Sequence, residues 1–475
     1  MVYSLRKTLA TTALGILAGL AALGSASPAV SYNNTLINQR ADPHINKHTD
    51  GWYYFTATVP EFDKIVLRRA QSIQALASAP ETTIWKRKAS GVGSGQVWAP
   101  ELHYIDGKWY IYVALGVSGQ WRIRAFVLEG TGANPLSANW VEKGIIKTNW
   151  DTFSLDASTF VVNGTRYLVW AQQEPSRSDE NSSLMLAPLQ NPWTLGATAV
   201  AISRPTLPWE RRGYKVNEGP SAIQRNGNVF LTYSASATDY NYCMGLLTAS
   251  ASSNLMDPAS WSKEPNPVFA SNADTQQFGP GHNSFTVSED GQSDIIVYHD
   301  RGYRDIKGDP LNDPNRRTRV QKLYWKANGT PDFGVPVAEG PTPVRLRSFN
   351  NSGYVQYKLS SQSNAITPSL AETQFRLASP GLAGGSSVSL ESAAKPGAFL
   401  RRSGSQFRFE VKGSASSFAR EASFIQHAGL ADAAGVSFES VDMQGQYLHL
   451  SSDGSLLLLT GGTSAQGTTS TFYLE

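Results

Sequence analysis

Asp42 in RADPHI, Asp156 in SLDAST and Glu218 in NEGP are acidic residues set at the start of apolar, strand-like segments. Burying an unpaired carboxylate is costly, so such a group is expected to have a partner or a task. Two carboxylates across a pocket, with a third nearby, can break a glycosidic bond. One must be protonated to donate to the leaving oxygen, and the other ionised to deprotonate water, so they need different surroundings. Asp42, held in extended chain by the proline after it, is the candidate base. Glu218, with the longer side chain, is the candidate acid. Asp156 nearby would raise the Glu218 pKa by like-charge repulsion and keep the side chain oriented. A separation of roughly 6.5–9.5 Å between base and acid would admit a water and give inversion. Taken singly, Asp42 reads as a turn or cap residue and Asp156 as a local cap.

What draws them together is a repeat. A Gly turn followed by alternating aromatic and β-branched residues recurs as DGWYYFTAT, DGKWYIYVA, NGTRYLVWA, NGNVFLTYS and DGQSDIIVYH, with turn glycines at 51, 107, 164, 227 and 291. Asp-Gly or Asn-Gly before such alternation is a hairpin signal. Units roughly 60 residues apart, with almost no helical periodicity, predict a five-bladed β-propeller. The first strands of the hairpins are expected in ADPHINKHT, WAPELHYID, LDASTFVVN, NEGPSAIQR and GHNSFTVSE, lining a central channel. About nine residues before each turn glycine stand Asp42, Trp98, Asp156, Glu218 and His282, which would face one funnel from five directions. Trp98 could stack on a sugar face or be plain core. His282 could be a satisfied core histidine. Arg319 in RTRVQ reads as a solvated charge, or as a group that binds a sugar hydroxyl or orients the acid.

Beyond PDFGVPVAEGPTPV (331–344), a proline-rich joint, a second repeat predicts a β-trefoil. Phe349, Leu390 and Phe438 open its segments, Tyr354, Phe399 and Tyr447 follow, and Phe375, Phe424 and Phe472 close them, at a spacing of roughly 48 residues. The expected layout is residues 1–26 as a signal peptide, 27–341 as the propeller and 342–475 as the trefoil. The leader rests on Arg6 and Lys7, an apolar stretch to about Leu23 and the small residues Gly24-Ser25-Ala26. Secretion is therefore expected. With 41% apolar and 17% charged residues the chain is globular, and a net charge of +3 without basic runs argues against nucleic acid as the main partner. No segment after the leader is long and apolar enough to span a bilayer, so no membrane partner is expected. Cys243 is the single cysteine, so the fold holds without internal disulfides. Sequons at Asn33, Asn163, Asn181, Asn328 and Asn350 would accept glycans in a eukaryotic host.

At ADPHI, VWAPELHYIDGKWYIYV, SLDAST, NEGP, GPGHNS and RTRVQ the sequence resembles glycoside hydrolase family 43 over about residues 32–341. The resemblance implies inverting cleavage of arabinofuranosides, xylosides or arabinans. It makes Asp42 the general base, Glu218 the general acid and Asp156 the pKa modulator and orienting group. It also implies a calcium ion in the channel, with His282 as its metal-binding residue, directly or through water, and a structural or electrostatic role. The C-terminal repeat is similar to the arabinofuranose-binding trefoils of carbohydrate-binding module family 42 through SLESAAKPGAFLRR and SFESVDMQGQYLHL. The likeness is incomplete. Arg402 and Leu450 stand where that family has its ligand histidine, with His449 adjacent, and Glu372, Glu421 and Ser470 stand where its acidic partner falls.

The expectation is a monomeric, secreted exo-α-L-arabinofuranosidase acting on plant cell-wall arabinan or arabinoxylan oligosaccharides, with terminal α-1,5-linked arabinofuranose as its target. A β-xylosidase on the same scaffold is the alternative, an endo-arabinanase is less favoured, and a non-catalytic glycan-binding protein is the rival from another class.

Overall fold

The computed structural model describes residues 31–350, 353–355, 373–404, 406–452, 456–461 and 464–475. The expected signal peptide and Glu372 lie outside these residues. Five antiparallel sheets follow one another along the chain from Ala41 to Lys322. Their inner strands are Ala41–Lys47, Val97–Ile105, Ser154–Val162, Asn217–Arg225 and Phe278–Val287, where the hairpin signals put them. Each pairs with the strand after its turn, such as Ala41–Lys47 with Tyr53–Thr58 and Asn217–Arg225 with Asn228–Ala235. At each turn glycine φ is positive, between 72° and 84°, a conformation that glycine adopts without a Cβ clash.

The fifth blade has three strands of its own. The segment from Asn34 to Ile37 closes it from the other end of the chain. Asn34 exchanges side-chain hydrogen bonds with the Val320 backbone at 2.7 and 3.0 Å, and Leu36 and Ile37 bond to Thr318. The ring is thus closed non-covalently, as the single cysteine requires. Cys243 is buried among Leu231, Tyr233 and Leu247, and burial pushes its thiol up to about 12, as befits a packing side chain.

Between the blades lie apolar layers of alternating strand residues, such as Tyr54, Ile65, Trp109 and Val113 between the first and second. This alternation leaves the inner strands' other positions for the channel.

The C-terminal unit is a ten-stranded sheet system around Leu346, Phe375, Leu390, Leu400, Phe424, Phe438, Leu448 and Phe472, all buried. The closing aromatics Phe375, Phe424 and Phe472 are fully buried. The opening position differs from expectation in the first repeat. Phe349 is 36% exposed, and Leu346 fills the core instead. Leu346 lies within the strand Val344–Ser348, whereas Phe349 follows it in a turn. Tyr354 and Tyr447 are partly exposed; the next residues, Val355 and Leu448, carry the burial. The two units meet where Tyr324 donates to the Glu475 carbonyl at 3.1 Å and Arg376 donates to that of Ala338.

Candidate active site

Each inner strand carries a β-bulge near its start, between Ala41 and His44, Trp98 and Glu101, Leu155 and Ser158, Glu218 and Ser221, and Gly281 and Ser284. Within each bulge one residue takes left-handed φ: Asp42 at 53°, Ala99 at 46°, Asp156 at 54°, Gly219 at 53° and His282 at 44°. A non-glycine residue there costs on the order of 1–3 kcal/mol, and such strain gathers at functional sites. The bulge interrupts the in–out alternation and re-aims a side chain. Trp98 and Glu218 therefore stand one residue before the bulge position that Asp42, Asp156 and His282 occupy. The fourth blade needs this offset, because a Cβ at 219 would come 3.0 Å from Cγ of His282. Glu218 still reaches the same space. Asp42, Trp98, Asp156, Glu218 and His282 all line one cavity of about 650 Å³.

The three carboxylates have unlike surroundings. Asp42 is buried, with Oδ2 accepting from Thr58 Oγ1 at 2.6 Å and Oδ1 from Arg316 Nη1 at 3.0 Å. Burial alone would raise its pKa; Arg316, with His282 and His299 beside it, outweighs burial and holds it well below the usual carboxylate range. Glu218 accepts one hydrogen bond from the Tyr242 hydroxyl at 2.8 Å. Burial, with repulsion from Asp42, pushes it up to about 7 against the bond from Tyr242 and the charge of Arg316. Asp156 is pushed well above its ordinary value by burial and by the charges of Glu218 and Asp42. Asp156 and Glu218 repel one another, and burial is the largest cause of the upward shift in both, with Asp42 a further repelling charge. Asp156 Oδ2 accepts the Gly219 amide at 3.0 Å, which ties it to the backbone beside Glu218.

His282 sits between two acids, its Nδ1 3.4 Å from Asp42 Oδ1 and 3.8 Å from Asp156 Oδ2. Burial lowers its pKa despite the attraction of Asp42. Trp98 is mostly buried and edge-on to Phe62 and Trp121, so it serves as core and as cavity wall at once. Trp121 is 64% exposed and stacks on Phe153 at 5.8 Å and 9°. With Tyr214 across the cavity, these rings offer flat apolar faces to a sugar.

Arg319 does not reach this cavity. It is fully buried elsewhere, paired with Asp300 at 3.1 Å and Glu339 at 2.8 Å and donating to the Val337 carbonyl. In the strand Arg317–Lys322 the two-residue period puts Arg317 and Arg319 on the Asp300 side. Arg316, just before that strand, is the arginine that meets Asp42. Arg316, Tyr242, His299 and Thr58 were missed by spacing alone, since none shares the phase of the five hairpins.

Two residues farther along the inner strands, His44, Ser158, Ser221 and Ser284 line a polar chamber of about 310 Å³. The Oγ1 of Thr286 there has no partner among the described residues. His44, Glu101 and His103 bring ligand atoms within 4.8 Å of one another. Burial keeps the imidazoles neutral, near 4 for His44 and 3 for His103, and raises Glu101. Calcium prefers about six to eight oxygen ligands. One carboxylate and a ring of hydroxyls fit such an ion only when water completes its shell.

On the trefoil, Glu421 is taken up by Arg401, whose Nε donates at 2.7 Å and which also holds Glu410. Arg402 pairs with Asp442. Ser470 is buried, and its carbonyl accepts from Ser437 at 2.7 Å. His449 Nδ1 is buried without a partner among the described residues.

Residues 32–331 match the model of glycosyl hydrolases family 43, and residues 344–474 match that of the alpha-L-arabinofuranosidase B (ABFB) domain. The chain is 68% identical over 467 residues to alpha-L-arabinofuranosidase 43 of Humicola insolens, covering 96% of this chain and 97% of that protein. It is 56% identical over 416 residues to an extracellular exo-alpha-(1->5)-L-arabinofuranosidase of Streptomyces avermitilis, covering 87% and 86%. Among solved structures, the alpha-L-arabinofuranosidase from Lactobacillus brevis shares 51% identity at a TM-score of 0.64, covering 65% of this chain and 98% of that one.

Proposed function

The chain belongs to glycosyl hydrolase family 43, and on that footing we propose that it is a secreted exo-α-L-arabinofuranosidase that removes terminal arabinofuranose from α-1,5-linked arabinan or arabino-oligosaccharides with inversion. The observation that carries the chemistry is the pairing of Asp42 and Glu218 on one cavity with opposite protonation. The sugar rests on the names of the relatives and on the arabinofuranosidase-type second domain. Secretion rests on the extracellular relative together with the leader-like residues 1–26.

In this reading ionised Asp42 takes the proton of a water attacking the anomeric carbon, and protonated Glu218 gives its proton to the departing glycosidic oxygen. Arg316 and Thr58 keep Asp42 ionised and aimed. Asp156, bound to the Gly219 amide, fixes the backbone that presents Glu218. His282 spans Asp42 and Asp156 and lines the sugar site with Trp98. The transition state gathers positive charge on the sugar, and Asp42 is the anion left in the cavity to face it.

The channel ion belongs to the proposal in a hydrated form. Glu101 and the hydroxyls of Ser158, Ser221, Ser284 and Thr286 would hold it through water below His282, and it would supply positive charge beneath the acids. Calorimetric titration of calcium into chelator-treated protein, with thermal unfolding as a second readout, tests it.

Product analysis on linear arabinan, arabinoxylan and xylobiose tests the substrate. Arabinose from the first, with no xylose from the last and no long oligomers early in the reaction, is the expected result. Xylose release would move the assignment to a β-xylosidase, and early long oligomers to an endo-acting enzyme. NMR of the fresh product should show the inverted anomer. Asp42→Asn and Glu218→Gln should each lose on the order of a thousandfold or more in turnover on arabinan while staying folded. Undiminished action would return the non-catalytic reading.

A further inference from the structure

Tyr242 touches one half of the acid–base pair directly and reaches the other through His299. Its hydroxyl donates to Glu218 Oε1 at 2.8 Å. Its ring lies parallel to that of His299, 5.6 Å apart at an interplanar angle of 6°. His299 in turn accepts the backbone N–H of Asp42 on Nδ1 at 3.0 Å. The same Nδ1 lies 3.2 Å from Asp42 Oδ1, so His299 meets Asp42 at both its backbone and its carboxylate, and burial lowers the pKa of the imidazole to about 3. Tyr242 and His299 are essentially buried, at 1% exposure each. The slot for the tyrosine ring is cut by Gly281, where a Cβ would meet Tyr242 Cε1 at 2.5 Å. Gly281 is also the register partner of His299. The middle of the GPGHNS motif therefore has a task apart from His282: it makes room for this ring.

We propose that Tyr242 and His299 are positioning residues that act as one stacked brace, the hydroxyl of Tyr242 fixing the Glu218 carboxyl and the imidazole of His299 fixing the Asp42 backbone, so that the two reacting groups keep a set separation. The proposal rests on the assignment of Asp42 as base and Glu218 as acid. An inverting displacement needs this control, because the gap between its two carboxyl groups must hold a water and a sugar at once. A misplacement of about 1 Å can cost on the order of a hundredfold in rate. Asp42 is also held by Arg316 and Thr58, and the backbone at Gly219 by Asp156, with His282 between the two aspartates. The stack adds a link that ends on the Glu218 carboxyl itself.

The groups bearing on the Glu218 proton are Tyr242 from its own blade, Asp42 from the first blade, Asp156 from the third and Arg316 from the fifth. Of these only Tyr242 gives it a hydrogen bond among the described residues. The donation stabilises the carboxylate, so its loss raises the acid's pKa.

The test compares Tyr242→Phe, Tyr242→Ala and His299→Asn on an aryl arabinofuranoside with a poor leaving group and on the dinitrophenyl arabinofuranoside, whose departure needs no acid. Tyr242→Phe should lose about tenfold on the first substrate, hold within about twofold on the second, and move the alkaline limb of the pH profile upward. Tyr242→Ala and His299→Asn remove one face of the stack, so they should slow the dinitrophenyl substrate as well, through the base. Equal losses on both substrates for Tyr242→Phe with an unmoved alkaline limb, or an unimpaired dinitrophenyl rate in Tyr242→Ala, would overturn the brace. Thermal unfolding shows which variants remain folded; His299→Asn keeps a short polar side chain and decides the stacking if Tyr242→Ala does not fold. Glu218→Gln run alongside separates the two levels. If it stays active on the poor leaving group, the acid assignment itself falls. If it is inactive there while Tyr242→Phe behaves as wild type, only the brace falls.

Discussion

The guanidinium of Arg316 donates to Oδ1 of Asp42 at 3.0 Å, and both side chains are only 7% exposed. Removing one partner of a buried ion pair leaves an uncompensated charge, which commonly costs about 3–5 kcal/mol. Here the charge left behind is Asp42, and its easiest relief is to take up a proton. Arg316 also lowers the pKa of Glu218.

Arg316→Met should therefore move both limbs of the pH–activity profile to higher pH, because it raises base and acid together. Activity at mildly acid pH should drop by on the order of a hundredfold, as Asp42 becomes protonated. A full kcat/KM profile from pH 4 to 9 against wild type checks this. A uniform loss with unmoved limbs would assign Arg316 to substrate contact instead.

The proton on Glu218 also shapes stability. The group titrates near 7 in the folded chain against 4.5 as its ordinary value. The folded state thus holds an extra proton between those values. Stability from this group is complete below about 4.5 and is lost as pH rises through about 7. Thermal unfolding across that window should show Tm falling with pH in the wild type and a shallower fall in Glu218→Gln, which carries no titrating group there.

Gly219→Ala should be more damaging than a methyl group suggests. The position has φ of 53°, and the added carbon would stand 3.0 Å from His282 Cγ and 3.1 Å from its Nδ1. His282 is flanked by Asp42 and Asp156, so any shift of its ring disturbs both acids. A loss of roughly 1–3 kcal/mol in stability is expected, with a fall in kcat as Glu218 is displaced. Denaturant unfolding together with kinetics at saturating substrate measures both.

Trp121→Ala should separate polymer from small substrate. The ring is exposed, lines the cavity and is stacked on Phe153. Its loss should raise KM for arabino-oligosaccharides by about fivefold to thirtyfold, in keeping with about 1–2 kcal/mol from an aromatic contact. KM for a single aryl arabinofuranoside should change little. Equal changes on both would place Trp121 at the first sugar.

The hairpin glycines, the alternation after them and the shared phase of five polar positions were enough to read the propeller, and the second set of aromatics the trefoil. Local patterning is strong in both because a repeated unit must bury the same face each time. What local patterning does not carry is rotation at a bulge. Asp42 and Glu218 look equivalent by count from the turn, yet one is the left-handed residue and the other precedes it. The same limit put Arg319 in the site in place of Arg316. An arginine's partner depends on which sheet edge it begins, and RRTR offers three candidates within four residues.

The sequence by itself determined the architecture and which three acids share one cavity, because strand period, turn chemistry and residue type are properties of short segments. Only the tertiary structure decided how those acids are protonated. Asp42 is held low by an arginine more than 270 positions away, and Glu218 is raised by burial that exists only once five blades close around it. Charge interactions act through space and depend on the solvent excluded between the groups, so no count along the chain contains them.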